Sequence, residues 1–288
     1  MTLETHTEFL TVTTPEGPHQ MAWQRWSRSS VVSPPLLVCV HGLTRNRHDF
    51  DTIARALTQH YQVITLDILG RGDSDWLLNP THYGYPLYLS QVQQLLKYLA
   101  ASTGEDRVDW LGTSMGGLIG MMLASQPDSP IDRLIMNDIG YLVPLEGLKR
   151  LQTYVGKAPA FTSLSEVEDY LRVVCGGFGP LNDAQWQQLA EYSAMRDHTG
   201  RWVMCYDPAI AQAFDEVEAD IDLSAIWSQV RCPTLLLRGA QSDLLSTETA
   251  NAMLQRTGTQ LVTVEGAGHA PALCSQQEID AISQFLCS

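Results

Sequence analysis

Two stretches near the start of the chain alternate apolar and polar residues, Phe9 to Thr13 and Met21 to Trp26. A period of two puts one face of a strand against a core. The intervening Pro15-Glu16-Gly17-Pro18 is turn chemistry, so the pair predicts an antiparallel hairpin. The pattern then changes. Leu36 to Val40 is apolar throughout, and largely apolar runs recur at Gln62 to Leu66, Val108 to Leu111, Arg133 to Met136, Thr234 to Leu237 and Gln260 to Val264. Unbroken runs suit strands buried on both faces. Helical periodicity separates most of them, clearest in Leu87 to Leu99, where Leu89, Val92, Leu95, Leu96 and Leu99 share one face. This alternation predicts an α/β fold, a mostly parallel sheet with helices on both faces.

Between about Tyr141 and Val230 the alternation stops. Strand-like runs are missing there, and helical patterns stand at Glu166 to Val174 and Asp183 to Met195. The stretch is too long for a loop. It predicts a helical insertion, 141–230, that divides a core domain formed by 1–140 and 231–288.

Composition narrows the function classes. Of the 288 residues, 44% are hydrophobic and 17% charged, which excludes intrinsic disorder. A formal charge of −14 repels phosphate backbones and anionic lipid, so neither nucleic acid nor a membrane is the expected partner. No apolar run approaches the roughly 18 residues of a membrane span. The N-terminus lacks the basic and apolar regions of a signal peptide, so a cytoplasmic protein is expected. The six cysteines fit neither a zinc site nor a disulfide framework and read as reduced thiols, mostly in the core.

The sharpest motif is Gly112-Thr113-Ser114-Met115-Gly116-Gly117, between the strand Val108 to Leu111 and an apolar helix from Leu118 to Ala124. That context is the one a nucleophile elbow needs: a tight turn lifts the serine hydroxyl above the sheet, at a helix N-terminus that favours developing negative charge. A serine needs a base. His269, in Gly266-Ala267-Gly268-His269-Ala270-Pro271 after the last strand, is the best placed of eight histidines. The histidine in turn needs a carboxylate. Asp243, beyond the strand Thr234 to Leu237, is preferred because the chain order Ser114, Asp243, His269 then follows the α/β-hydrolase order. Asp138, after the strand Arg133 to Met136, competes for the role, with capping of a turn as its plainer reading. The oxyanion of acyl transfer needs N–H donors. The Met115 amide and the Leu43 amide, in His41-Gly42-Leu43-Thr44, are nominated, and His41 is read as a brace for that loop.

Together with Asp67-Ile68-Leu69-Gly70-Arg71-Gly72-Asp73-Ser74 and Arg238-Gly239, these motifs run in an order and spacing that resembles the α/β-hydrolase superfamily, in its cap-containing serine esterase-like branch. The resemblance spans nearly the whole chain. It implies an eight-stranded sheet whose first strands are antiparallel, with a helical cap inserted after strand six. It also implies an acyl-enzyme mechanism without metal or organic cofactor. Ser114 stands where dehalogenases and epoxide hydrolases of this fold carry aspartate. Thr113 and Ala270 stand where carbon–carbon bond hydrolases of meta-cleavage products typically carry Asn and Trp, and Leu43-Thr44 replaces a glycine-rich oxyanion loop. The expected activity is therefore a carboxylesterase for small-molecule esters of short to medium acyl chains. A carbon–carbon hydrolase, a lactonase and a ligand receptor on the same fold are the alternatives. Apolar cap residues such as Trp186, Tyr192, Trp202 and Phe214 either line an apolar pocket or form the cap's own core, and Arg196 and Arg201 read as solvated surface.

Overall fold

The computed structural model describes residues 2–29, 33–214 and 217–287. The first two strands, β1 (Leu3–Thr14) and β2 (Gly17–Arg28), form a hairpin. Its turn closes through Gly17, whose φ of +106° is a conformation that glycine adopts without a side-chain clash. Strands β3 (Leu36–Val40), β4 (Gln62–Leu66), β5 (Val108–Thr113) and β6 (Ile131–Asn137) follow, with α1 (Asp51–Leu57), α2 (Tyr85–Thr103) and α3 (Met115–Ala124) between them. After β6 come the short strands β7 (Leu142–Val143), β8 (Ala160–Phe161), β9 (Ala194–Arg196), β10 (Trp202–Met204) and β11 (Ile221–Asp222). Helices α4 (Leu145–Gln152), α5 (Leu164–Val174), α6 (Asp183–Ser193) and α7 (Ser224–Trp227) lie among those strands. The chain then returns through β12 (Thr234–Gly239), α8 (Thr247–Met253), β13 (Thr259–Val264) and α9 (Gln276–Leu286).

The main sheet has eight strands in the order β1-β2-β4-β3-β5-β6-β12-β13. β1 and β2 are antiparallel and the rest parallel, from β4 to β13. Its two faces bury separate apolar layers. One packs Val38, Val40, Trp110 and Leu236 against α2, α3 and the cap; the other packs Leu37, Cys39 and Leu237 against α1 and α9. Each such side chain contributes about 1.5–3 kcal/mol on burial. That explains why these strands are apolar on both faces.

The chain between β6 and β12, here termed the cap, adds no strand to the main sheet. It is mostly helical, and it carries strands as well: a three-stranded sheet β8-β10-β9 and the pair β11-β7. Met195, which the periodicity assigns to a helix, lies in β9 because α6 ends at Ser193. Strands of two or three residues are too short to show a period. α6 begins with a reciprocal cap between Asn182 and Gln185, and α5 with Ser163 accepting from the Glu166 amide. No helix among the described residues is long and apolar enough to cross a membrane.

Candidate active site

Tight packing dictates the turn between β5 and α3. A Cβ on Gly112 would lie 2.2 Å from the Gly116 carbonyl carbon, and one on Gly116 would lie 2.0 Å from the Val40 carbonyl oxygen. Only glycine lets the helix start this close to the sheet. Ser114 at its apex takes φ +50°, ψ −113°, a strained conformation for a residue with a side chain. Its amide donates to the Asn137 carbonyl at 2.9 Å, which ties the elbow to the end of β6.

Ser114 Oγ lies 3.0 Å from His269 Nε2. The other ring nitrogen, Nδ1, lies 2.8 Å from Asp138 Oδ2. Asp243 does not stand behind His269, contrary to the expectation from chain order. It pairs with Arg150 of α4, and its side chain is 41% exposed. The reason is local geometry. Asp138 directly follows β6 in a left-handed conformation, φ +56°, and its amide donates to the Leu237 carbonyl of the neighbouring strand. This aims a fully buried carboxylate inward. There it accepts from the Gly239 amide at 2.7 Å and from the Ser242 hydroxyl at 2.5 Å as well as facing His269. Asp243 lies four residues beyond β12, out on the loop.

The His269 loop is held from two sides. Asn137 Nδ2 donates to the Pro271 carbonyl at 2.8 Å and to Thr113 Oγ1 at 3.1 Å. From the cap, the Gly177 carbonyl accepts from the Gly268 amide at 2.8 Å, and a Cβ on Gly177 would come within 2.6 Å of the His269 carbonyl oxygen. Neither Asn137 nor Gly177 belongs to a motif that stands out in the sequence.

Among the described residues, the amides of Leu43 and Met115 have no hydrogen-bond partner. Both residues line the cavity that Ser114 opens into. His41 braces the loop as expected. Its Nε2 accepts from the Ile68 amide at 3.0 Å, which leaves the proton on Nδ1 to donate to the Gly42 carbonyl at 2.7 Å. Burial, reinforced by the charges of Arg71, Arg45 and Arg47, pushes this imidazole down to about 3, so it stays neutral.

Ser114 sits between two spaces of unequal size. On one side is an apolar cavity of about 420 Å³, walled by Tyr85, Leu118, Met122, Leu148, Phe214 and Leu244 among others. On the other is a slot of about 40 Å³ with Arg45, Tyr154, Cys175 and Phe178 in its walls. Of the apolar cap residues named above, Phe214 lines the cavity, while Trp186 is in the core and Tyr192 stacks on His48 at 3.8 Å. Burial raises the Cys175 thiol to about 11, so it is protonated and offers no competing nucleophile. Arg196 and Arg201 lie on the surface, Arg196 over the Trp202 ring and Arg201 near Asp197.

A model of the alpha/beta hydrolase family matches residues 37–281. The chain is 37% identical to the 3-hydroxybutyrate-oligomer hydrolase of Cupriavidus necator over 96% of each chain. It is 27% identical to the N-formylmaleamate deformylase of Pseudomonas putida over 81% of each. The solved structure of an alpha/beta hydrolase from Novosphingobium aromaticivorans superimposes with a TM-score of 0.87 at 32% identity, covering 98% of both chains. The chain belongs to the alpha/beta hydrolase family.

Proposed function

We propose that this chain is a serine hydrolase of carboxylic esters, and that short 3-hydroxybutyrate oligomers are within its substrate range. The observation that carries the reading is the continuous line from Ser114 through His269 to Asp138, opening onto an apolar cavity beside two free amides. As Ser114 Oγ attacks the ester carbonyl, His269 Nε2 takes its proton. Asp138 holds the tautomer with the proton on Nδ1 and offsets the charge of the imidazolium that forms. The Leu43 and Met115 amides receive the oxyanion, each donor lowering the barrier by about 3 kcal/mol. His269 returns the proton to the leaving alcohol, and an acyl-enzyme remains. Water then attacks it with His269 again as base.

The 420 Å³ cavity has room for a short aliphatic acyl group, and its walls are apolar with tyrosine rings among them. The 37% identity to a 3-hydroxybutyrate-oligomer hydrolase, over nearly both whole chains, supports a hydroxyalkanoate ester as substrate. The test is hydrolysis of 3-hydroxybutyrate dimer and trimer, and of p-nitrophenyl esters from acetate to laurate, by the wild type and by Ser114→Ala. Turnover of the dimer or trimer and of short acyl esters, lost in the variant and matched by fluorophosphonate labelling of Ser114, is the expected result. Equal turnover by Ser114→Ala would overturn the nucleophile. Labelled, folded protein that cleaves none of these esters would overturn the substrate class.

A further inference from the structure

Arg71 belongs to the Gly70-Arg71-Gly72 turn after β4 and is completely buried. A buried guanidinium is costly unless its charge is met. The cations around it are met: Arg45 pairs with Asp49, and Arg47 with Asp67 and Asp73. Arg71 differs. Among the described residues it has no carboxylate partner. Its Nε donates to the Leu43 carbonyl at 2.8 Å, and its Nη1 to the Leu69 carbonyl and the Tyr88 hydroxyl, both at 2.9 Å. Its Nη2 faces Met115 Sδ at 3.8 Å, and the Tyr88 ring lies 4.9 Å from the guanidinium carbon.

The cation without an anion therefore touches both residues whose amides are free beside Ser114. We propose that Arg71 is a positioning residue for the oxyanion: its fork anchors the loop that carries the Leu43 amide, and its unneutralised charge favours an anion at that spot. The inference rests on Ser114 being the nucleophile. A permanent carboxylate beside Arg71 would cancel the field; its absence leaves the positive charge for an anion that exists only during reaction. The neutral neighbour His41, held down chiefly by burial and also by Arg71, lies in the same field and braces the same loop.

Charge and anchoring are separable. Arg71→Lys keeps the charge, Arg71→Gln keeps a donor without charge, and Arg71→Met keeps neither. Each is measured for kcat, KM, Tm and affinity for butylboronic acid, whose adduct with serine is a tetrahedral anion. The expected kcat falls about 10²-fold in the Gln and Met variants, with KM within roughly threefold and boronate affinity falling in parallel. Lys recovers about tenfold of this, whatever its Tm. Should Arg71→Met not fold, the Lys and Gln pair decides. Equal kcat for Lys and Gln, or losses that follow Tm while boronate affinity holds, would overturn the proposal. Ser114→Ala separates the two readings. If it abolishes turnover while Arg71→Gln is fully active, this inference alone fails; if it leaves turnover intact, the nucleophile fails first.

Discussion

Two neighbouring strands of the main sheet, β6 and β12, each deliver an aspartate at the carboxyl edge, and the two carboxylates have different surroundings. Asp138 leaves β6 at once, is fully buried, and faces a backbone amide, a serine hydroxyl and an imidazole. Asp243 stands further out on the loop after β12, half-exposed, and clasps Arg150 of the cap. Burial alone would raise the Asp243 carboxyl, but the Arg150 guanidinium outweighs it and holds the group below its ordinary value. The contrast teaches that a strand end supplies a position and that the donors around it assign the work. An enclosed carboxylate with three donors can fix one tautomer of one ring; a half-exposed one paired with a guanidinium ties cap to core.

The largest effect is expected at Asp138. Asp138→Asn is expected to lower kcat about 10³–10⁴-fold with KM little changed, because the ring loses the acceptor that sets its tautomer; steady-state kinetics on a short ester checks it. A second enclosed group, His41, tests burial on the stability side. Its folded value of about 3 lies below the roughly 6.5 of an unfolded histidine, so the unfolded chain binds a proton that the native state excludes. Stability is then greatest above about pH 6.5 and falls as pH drops toward 3, by up to about 1.4 kcal/mol per unit from this group. In urea titrations across that range, His41→Gln should show the shallower dependence on pH.

Smaller effects come from the supports. Gly177→Ala presses a methyl against the His269 carbonyl and should cost about 1–3 kcal/mol of stability, with kcat reduced about tenfold as the ring shifts. Thermal unfolding and kcat measured together read both. The smallest effect is at the other carboxylate. Asp243→Asn should change kcat/KM by less than about threefold and stability by less than about 1 kcal/mol, since exposed ion pairs contribute little. That contribution is present above the ordinary carboxylate range and is lost as pH falls through the lowered native value.

Much of this was legible in the chain. The inner parallel strands announce themselves because burial on both faces demands apolar runs, and the elbow does so because a Cβ at Gly112 or Gly116 would strike backbone. Ser114 stands beside His269, and Leu43, Ser114 and Met115 line one cavity. The carboxylate was not legible, since Asp138 and Asp243 both follow parallel strands that lie side by side, and spacing says nothing of the left-handed turn that aims Asp138 inward. The cap's strands stayed hidden because two or three residues carry no period. Arg71 lay within a quoted motif, but its lack of an anionic partner is a fact of three dimensions.

Ser114, His269 and Asp138 are proposed to act as one unit. The most direct measurement is kcat/KM for Asp138→Asn and Asp243→Asn on the same short ester, both shown folded by circular dichroism. Asp243→Asn is expected to stay near wild type while Asp138→Asn falls behind it by about 10³-fold. The reverse order, with Asp243→Asn crippled and Asp138→Asn active, would contradict this proposal.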